Sequence, residues 1–588
     1  MLKQKFDKML THGMGSQLLL LLFAVVLFFV FFLLISLMFG WNYGWQDIIA
    51  MFLDPGGFGG HGEHDGFRLI VTLVGILLFS TLLISVVNNI FDNISTSVKT
   101  GVMRYKVKGH ILILGSDRHL MPMLEAFSLV KSRQTIVIMT ENDVEELSAE
   151  VDAHFTDDRF MNRIVFYRGN WDTEDDLRTA YPQFAERIYV IGESNDTDHD
   201  SKNMRCCAQL KKLCKGAKNK INCFVMMESG STIDMYMKET ESLSTDTLKI
   251  DIVNSREYAA EQMLAWTNFL PVIRANDPHY SHFVILGTGS MAKAVAFTVA
   301  HNSHYPRLDG AIRPTRISII GESMKTWMDN LIASRPSLFE HSHYTYTRPD
   351  GQVMTHQPDE EILDVEWDFI DMRDSSPEAR SILDQWASDR EHQYLRIAIC
   401  HEQQPERIAS MLHLPKAFYD KKHPIPICVY LEEGGEIALR AMQTGQYGII
   451  KPFGPGMGVV SDPLFELRSQ RGILVNAIYL VGKAGLNGFD YHSAWYDAKE
   501  SDKFASIYCA NALNFRWVNF DPLGDREPLY EAEHRRWMMT KLLMCLEHEG
   551  ITSYDNVPQW KIDNFRNLID WMIEAYKEKG AFPKLEEY

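Results

Sequence analysis

Cysteine is missing from the first 200 residues. All eight cysteines lie beyond Asp200, at Cys206, Cys207, Cys214, Cys223, Cys400, Cys428, Cys509 and Cys545, with no CxxC pair and no neighbouring CxxH. That spacing excludes a zinc ribbon and a disulfide-stapled secreted scaffold, and it reads as reduced, mostly buried thiols in a reducing compartment. A basic surplus is also missing: 59 Lys and Arg stand against 77 Asp and Glu, a formal net charge of -18. No region supplies the positive surface a phosphate backbone requires, so nucleic acid is excluded as a partner. No small-residue cleavage site follows the first apolar run, which is too long for the core of a secretory signal. At 588 residues the chain exceeds a single core and calls for several domains.

Two long apolar runs are present, over residues 18–39 and 67–91. Each matches the roughly 20 residues a helix needs to cross a hydrocarbon core. Lys3, Lys5 and Lys8 precede the first, and Lys99, Arg104, Lys106 and Lys108 follow the second, against Arg68 alone between them. The positive-inside rule then places both termini in the cytoplasm of a multi-pass inner-membrane protein. The connecting segment carries Asp47, Asp54, Glu63 and Asp65, a negative outer loop that concentrates cations.

Within that connection, Trp45, Ile48, Ile49, Phe52 and Leu53 recur at helical spacing. A plain surface hairpin would expose this stripe to water, whereas a re-entrant loop over 45–66 that opens with a short pore helix buries it. Asp54 closes the helix, Pro55 stops it, and Gly56 and Gly57 allow carbonyls to turn inward. Asp54, Pro55, Gly56 and Gly57 are therefore the expected selectivity filter, with a ring of Asp54 carboxylates from several subunits attracting cations. No TVGYG-type sequence is present, so potassium selectivity does not follow from the filter. Gly75, inside the second span, is a candidate gating hinge or a close-packing position.

From Lys108 the pattern changes to short β-rich runs alternating with helix-compatible sequence, the signature of a doubly wound α/β domain. Six runs, HILILG, TIVIM, RIVFY, RIYVIG, NCFVMM and LKIDIV, complete a first unit. A second opens HFVILGTGSMAKAVA at His282, about one domain length after His110, which points to an internal duplication. Its later strands are expected at 316–321, 365–370, 395–400, 425–431 and 447–453, with residues 335–361 as an insertion or mobile loop. The second copy holds Gly287, Gly289 and Ala292 in a GxGxxA turn from strand to helix, with Glu322 ending the next strand where ribose is recognised. The first copy keeps only Gly115, and Asp117 stands where phosphate would approach. It is expected to be a structural turn or a small-ligand site, with Asp117 and Glu141 as candidate carboxylates for a metal. His119 and His199 are read as surface polar groups, and no catalytic constellation is found.

These features resemble the Castor and Pollux type ion channels and their bacterial relatives, whose regulatory units are RCK (TrkA-N) domains. The resemblance rests on residues 52–87, on GHILILGSDRHLMPMLEAF, on YRGNWDTEDDL and on VNSREYAAEQML. It implies a homotetrameric cation channel with a cytosolic gating ring that senses a divalent cation such as Ca²⁺, or NAD or another adenine nucleotide. The two spans and the residues after Asp54 differ from the plant members. The helical tail, with EAEHRRWMMTKLLMCLEHEG, is similar to the small ryanodine-receptor repeat domain, which implies a ligand site at Arg536 and Trp537.

The expected fold class is thus a membrane α pore plus α/β: cytoplasmic residues 1–17, a two-span pore at 18–91, a linker at 92–108, Rossmann-like RCK domains at 109–275 and 280–510, and a small helical domain at 514–588. Two other readings are a membrane-anchored NAD-dependent oxidoreductase and a non-conducting nucleotide sensor.

Overall fold

The computed structural model describes residues 13–41, 43–53, 64–193, 198–237, 243–267, 269–309, 311–420, 422–431, 440, 449–454, 465–516, 525–546 and 551–585. The chain divides into two compact units, residues 1–104 with 143–148, and residues 105–142 with 149–588.

The first unit contains α1 (Gly13–Met38), α2 (Trp45–Leu53) and α3 (Asp65–Lys99). Among the described residues, α3 is the one helix long and apolar enough to cross a membrane by length and composition, and α1 contributes a described apolar stretch at Val25–Met38. The short helix packs against both long ones: Ile48 of α2 is fully buried in a cluster with Phe32 of α1 and Val71 of α3. Ser36 fixes the exit from α1 by donating its hydroxyl to the carbonyls of Trp41 (3.2 Å) and Tyr43 (3.3 Å). Of the predicted apolar stripe, Ile48 is inside while Trp45 is 58% exposed. Gly75 is buried one turn beyond Val71 within α3. Asp54, Pro55, Gly56 and Gly57 lie outside the described residues.

In the second unit, β1 (Ile111–Ser116), β2 (Ile136–Thr140), β3 (Ile164–Arg168), β4 (Arg187–Glu193), β5 (Ile221–Met227) and β6 (Leu248–Asn254) form a parallel sheet in the order β3-β2-β1-β4-β5-β6. Strands covered on both faces read as continuous apolar runs, which is why ILILGS and IVIMT were legible. The connections include α4 (Leu120–Leu129) and α5 (His199–Leu213), and α6 (Ser255–Thr267) leads out of β6.

The second sheet repeats this order through β7 (Tyr280–Leu286), β8 (Thr315–Gly321), β11 (Val365–Asp371), β12 (Gln393–Ile399), β13 (Ile427–Tyr430) and β14 (Ile450–Phe453). Residues 335–361 are not a plain loop. They supply a short helix and a hairpin, β9 (Tyr344–Thr347) and β10 (Val353–His356), with β9 parallel to β11 and β10 antiparallel to β9, so the sheet gains two strands. Four-residue strands with alternating Thr and Tyr bury little and leave a weak periodic signal.

Helix α7 (Ser290–Asn302) follows β7 and is buried all round, consistent with its Ala-rich, uniformly apolar sequence. Helix α8 (Gln404–His413) follows β12. The remaining chain forms α9 (Glu466–Val481), α10 (Glu500–Arg516), α11 (Glu527–Leu543) and α12 (Gln559–Lys579). Helices α10 and α11 pack on α7, and Met538, Met539, Leu542 and Leu543 enter the core of the second sheet. Phe504 and Tyr508 of α10 enter the core of the first, so the tail helices are shared structure between the sheets. All eight cysteines are thiols outside any disulfide, and seven are buried.

Candidate functional site

A cavity of about 530 Å³ opens at the C-terminal ends of the second sheet's strands. Its walls come from Gly287–Gly289 after β7, Glu322 after β8, Arg373–Ser375 after β11 and His401–Glu406 after β12. This is the crevice where the strand order reverses, the position at which open α/β sheets take ligands. Gly287 has φ +114°, and a Cβ there would come 2.8 Å from His401 N, so only glycine brings the two strand ends this close. Gly289 lines the opening and is the N-cap of α7. Ala292 is fully buried beneath the turn. Glu322 lies at the mouth, paired with Arg373 at 3.0 Å. The structure therefore gathers Gly287, Gly289 and Glu322 around one cavity, with Ala292 supporting its floor.

Sequence reasoning missed the far wall. Asp374 accepts from Ser410 and lies 3.3 Å from His401 Nε2, which is 3.0 Å from Ser410 Oγ. Burial pushes the Asp374 carboxyl up, and the bonds from His401 and Ser410 outweigh this and hold it below the usual carboxylate range. The wall is polar. Arg407, 2% exposed, braces it by donating to the carbonyls of His401 (2.9 Å) and Glu402 (3.0 Å).

In the first sheet, Asp117 and Glu141 do not converge. Asp117 groups with His199 and Glu228, whose ligand-type atoms lie within 4.8 Å of one another, whereas Glu141 pairs with Lys202 at 3.2 Å. His119 and His199 are buried, not surface groups: His119 Nδ1 donates to Asp117 (2.8 Å), and His199 donates to Asp200 (2.9 Å) and to the Ile191 carbonyl (2.8 Å). Glu228 is held by Arg118 and by Arg256 at 3.6 Å. A metal needs free lone pairs, and the ring nitrogens of His199 and the carboxylate of Glu228 are already committed, so this donor set does not fit a divalent cation. Gly115 serves the backbone: its φ is +98°, and it lies against Gly192.

Burial would lower the His199 pKa, but the bonds to Asp200 and Ile191 raise it above the ordinary histidine value, while Asp200 is held low. The raised group contributes stability that is complete below the unfolded histidine pKa and is lost as pH rises through the folded one. The lowered Asp200 loses its contribution as pH falls through its own folded pKa. The stability difference between the wild type and His199→Gln is therefore expected to be largest in mildly acidic solution and to shrink on going alkaline. Denaturant midpoints measured across pH check this.

At the tail, Arg536 is 1% exposed and bound to Glu533 (2.9 Å) and Thr540 (2.9 Å), so its charge is consumed inside the fold and offers nothing to a ligand. Trp537 is partly buried, with the Lys561 ammonium 3.1 Å from its ring centroid. Burial and the neighbouring Lys541 push Lys561 down to about 8.

Residues 106–237 match the family model of the calcium-activated potassium channel slowpoke-like RCK domain. The match lies within the first Rossmann unit, which is thus similar in sequence to an RCK domain over those residues. No curated protein matches the chain. Among solved structures it is similar to GsuK bound to ADP, at 14% identity and a TM-score of 0.37, covering 74% of this chain and 95% of that one. The GsuK channel bound to NAD gives 12% identity and a TM-score of 0.37, covering 74% of this chain and 81% of that one.

Proposed function

We propose that this chain is one subunit of a homotetrameric cation channel, of the Castor and Pollux kind, gated by an adenine nucleotide that binds the second Rossmann unit. The observation that carries the sensing role is the cleft of about 530 Å³ over the Gly287–Gly289 turn, placed where such sheets take nucleotides. The conducting role is supported by the short α2 packed between two long apolar helices with Ile48 buried, and by the acid-rich connection between basic span ends. The subunit sits in the inner membrane with both termini cytoplasmic, and it senses without catalysing. Nucleotide binding favours one state of the RCK units, and residues 92–108 pass that preference to α3; the coupling requires only different affinities for the two states. A nucleotide is favoured over Ca²⁺ because the carboxylates of the first unit are already paired.

Ion flux through liposomes containing the full chain, with ADP and NAD as probes, tests this. Flux that responds to either probe is the expected result, and flux indifferent to both removes the nucleotide from the gating scheme. In single-channel recordings, Asp54→Asn is expected to lower cation conductance by weakening the carboxylate ring at the pore mouth. Unchanged conductance and selectivity would take Asp54 out of the filter.

A further inference from the structure

The crevice of the first Rossmann unit contains a carboxylate of the chain itself. Glu193, the last residue of β4, is 7% exposed. Its Oε2 accepts from the Ser116 amide (3.0 Å), the Ser116 hydroxyl (2.6 Å) and the Asn142 side-chain amide (2.8 Å). Its Oε1 accepts from the Thr140 hydroxyl (2.7 Å) and the Glu141 amide (3.2 Å). Ser116 is the last residue of β1, Thr140 is the last of β2 and Glu141 follows it, the two places from which a Rossmann unit addresses the phosphates and ribose of a nucleotide. Two backbone amides, two hydroxyls and a carboxamide converging on one point make an anion site.

We propose that Glu193 is a built-in ligand of the first unit: its carboxylate fills the anion site between the ends of β1 and β2, and thereby closes that crevice to anionic effectors. The second unit differs at the corresponding place. Glu402, after β12, also reaches over the first turn, and a Cβ built on Gly289 would meet its Cγ at 2.4 Å. Glu402 is exposed, however, and borders the open cavity, so it is free to swing aside. Gly289 of the second copy is replaced by Asp117 in the first, whose side chain is engaged with His119. One duplicated fold thus yields a self-liganded unit and an open one. Assigning the sensing role to the open unit rests on the nucleotide reading above; the occupancy of the first by Glu193 does not.

The test is hydrogen exchange on the full chain, read by mass spectrometry over 111–119 and 136–142, for the wild type, Glu193→Gln and Glu193→Ala, each with sodium formate or an equal concentration of sodium chloride. Both variants are expected to exchange at least about tenfold faster at the Ser116 and Glu141 amides. Formate, a carboxylate small enough to replace the lost group, is expected to slow exchange in Glu193→Ala and to leave the wild type and Glu193→Gln unchanged. Wild-type exchange rates in both variants, or equal slowing by formate in all three proteins, overturn the proposal. If Glu193→Ala does not fold, Glu193→Gln carries the test alone, since it keeps the volume and loses the acceptor charge; wild-type protection in that variant overturns the proposal. Protection of 287–292 by ADP in the same samples reports separately on the second unit.

Discussion

Replacing Arg468 by Met is expected to destabilise the cytosolic unit by about 3–5 kcal/mol, the usual consequence of leaving one member of a buried ion pair without its partner. Arg468 on α9 donates to both carboxylate oxygens of Glu261 on α6, at 2.9 and 3.2 Å, and the two side chains are only 4% and 5% exposed. Burial alone would make the guanidinium easier to deprotonate; Glu261 reverses this and raises its pKa. The Arg468 guanidinium also stacks 5.5 Å from the Phe504 ring, so α6, α9 and α10 meet at one charge. Pairing the substitution with Glu261→Met is expected to recover part of the loss, because the orphaned Glu261 carboxylate is then gone while the buried Glu257 still lacks the cation it faced. Native-state hydrogen exchange over α6 is the appropriate measurement, since a chain of several cores does not unfold in one step. A double variant as unstable as Arg468→Met alone would show that the cost lies in packing and not in the orphaned carboxylate.

Gly115→Ala is expected to cost about 3 kcal/mol or more and to disrupt the pairing of β1 with β4. Holding a non-glycine residue in such a backbone region costs about 1–3 kcal/mol by itself. At φ +98°, the added Cβ would in addition fall 2.0 Å from the Gly192 carbonyl oxygen, a backbone atom that cannot yield without parting the strands. Gly287→Ala has the corresponding position in the second sheet, and its nearest atom is farther, His401 N at 2.8 Å. The expected result there is a smaller loss of stability together with loss of ADP binding, because the displaced turn forms the floor of the cavity. Thermal unfolding of the purified chain separates the two cases: a lower midpoint for Gly115→Ala than for Gly287→Ala supports this ranking, and the reverse order refutes it.

Much of the α/β architecture was legible because it depends on local pattern. Parallel strands buried on both faces require apolar residues without alternation, so HILILG, RIYVIG and LKIDIV announced themselves. The glycine turn at Gly287 was legible for a similar reason, since a close backbone approach admits few other residue types. The hairpin at β9 and β10 was not, because four-residue strands carry too little pattern. Arg536 misled because a charged side chain on an amphipathic helix reads as exposed, whereas α11 is enclosed by α7, α10 and α12 and Glu533 neutralises it. His119 and His199 misled likewise: nothing local says that a histidine will find Asp117 or Asp200 inside the fold.

The sequence by itself determined two doubly wound sheets, their duplication, the single intact glycine turn and the apolar segments of the first unit, because each follows from the spacing of neighbouring residues. Only the tertiary structure decided which carboxylates are available. Glu193 meets Ser116 across 77 residues, and Arg468 meets Glu261 across 207. An acid's role depends on which donors surround it after folding, and those donors come from strand ends and helices that only chain topology brings together.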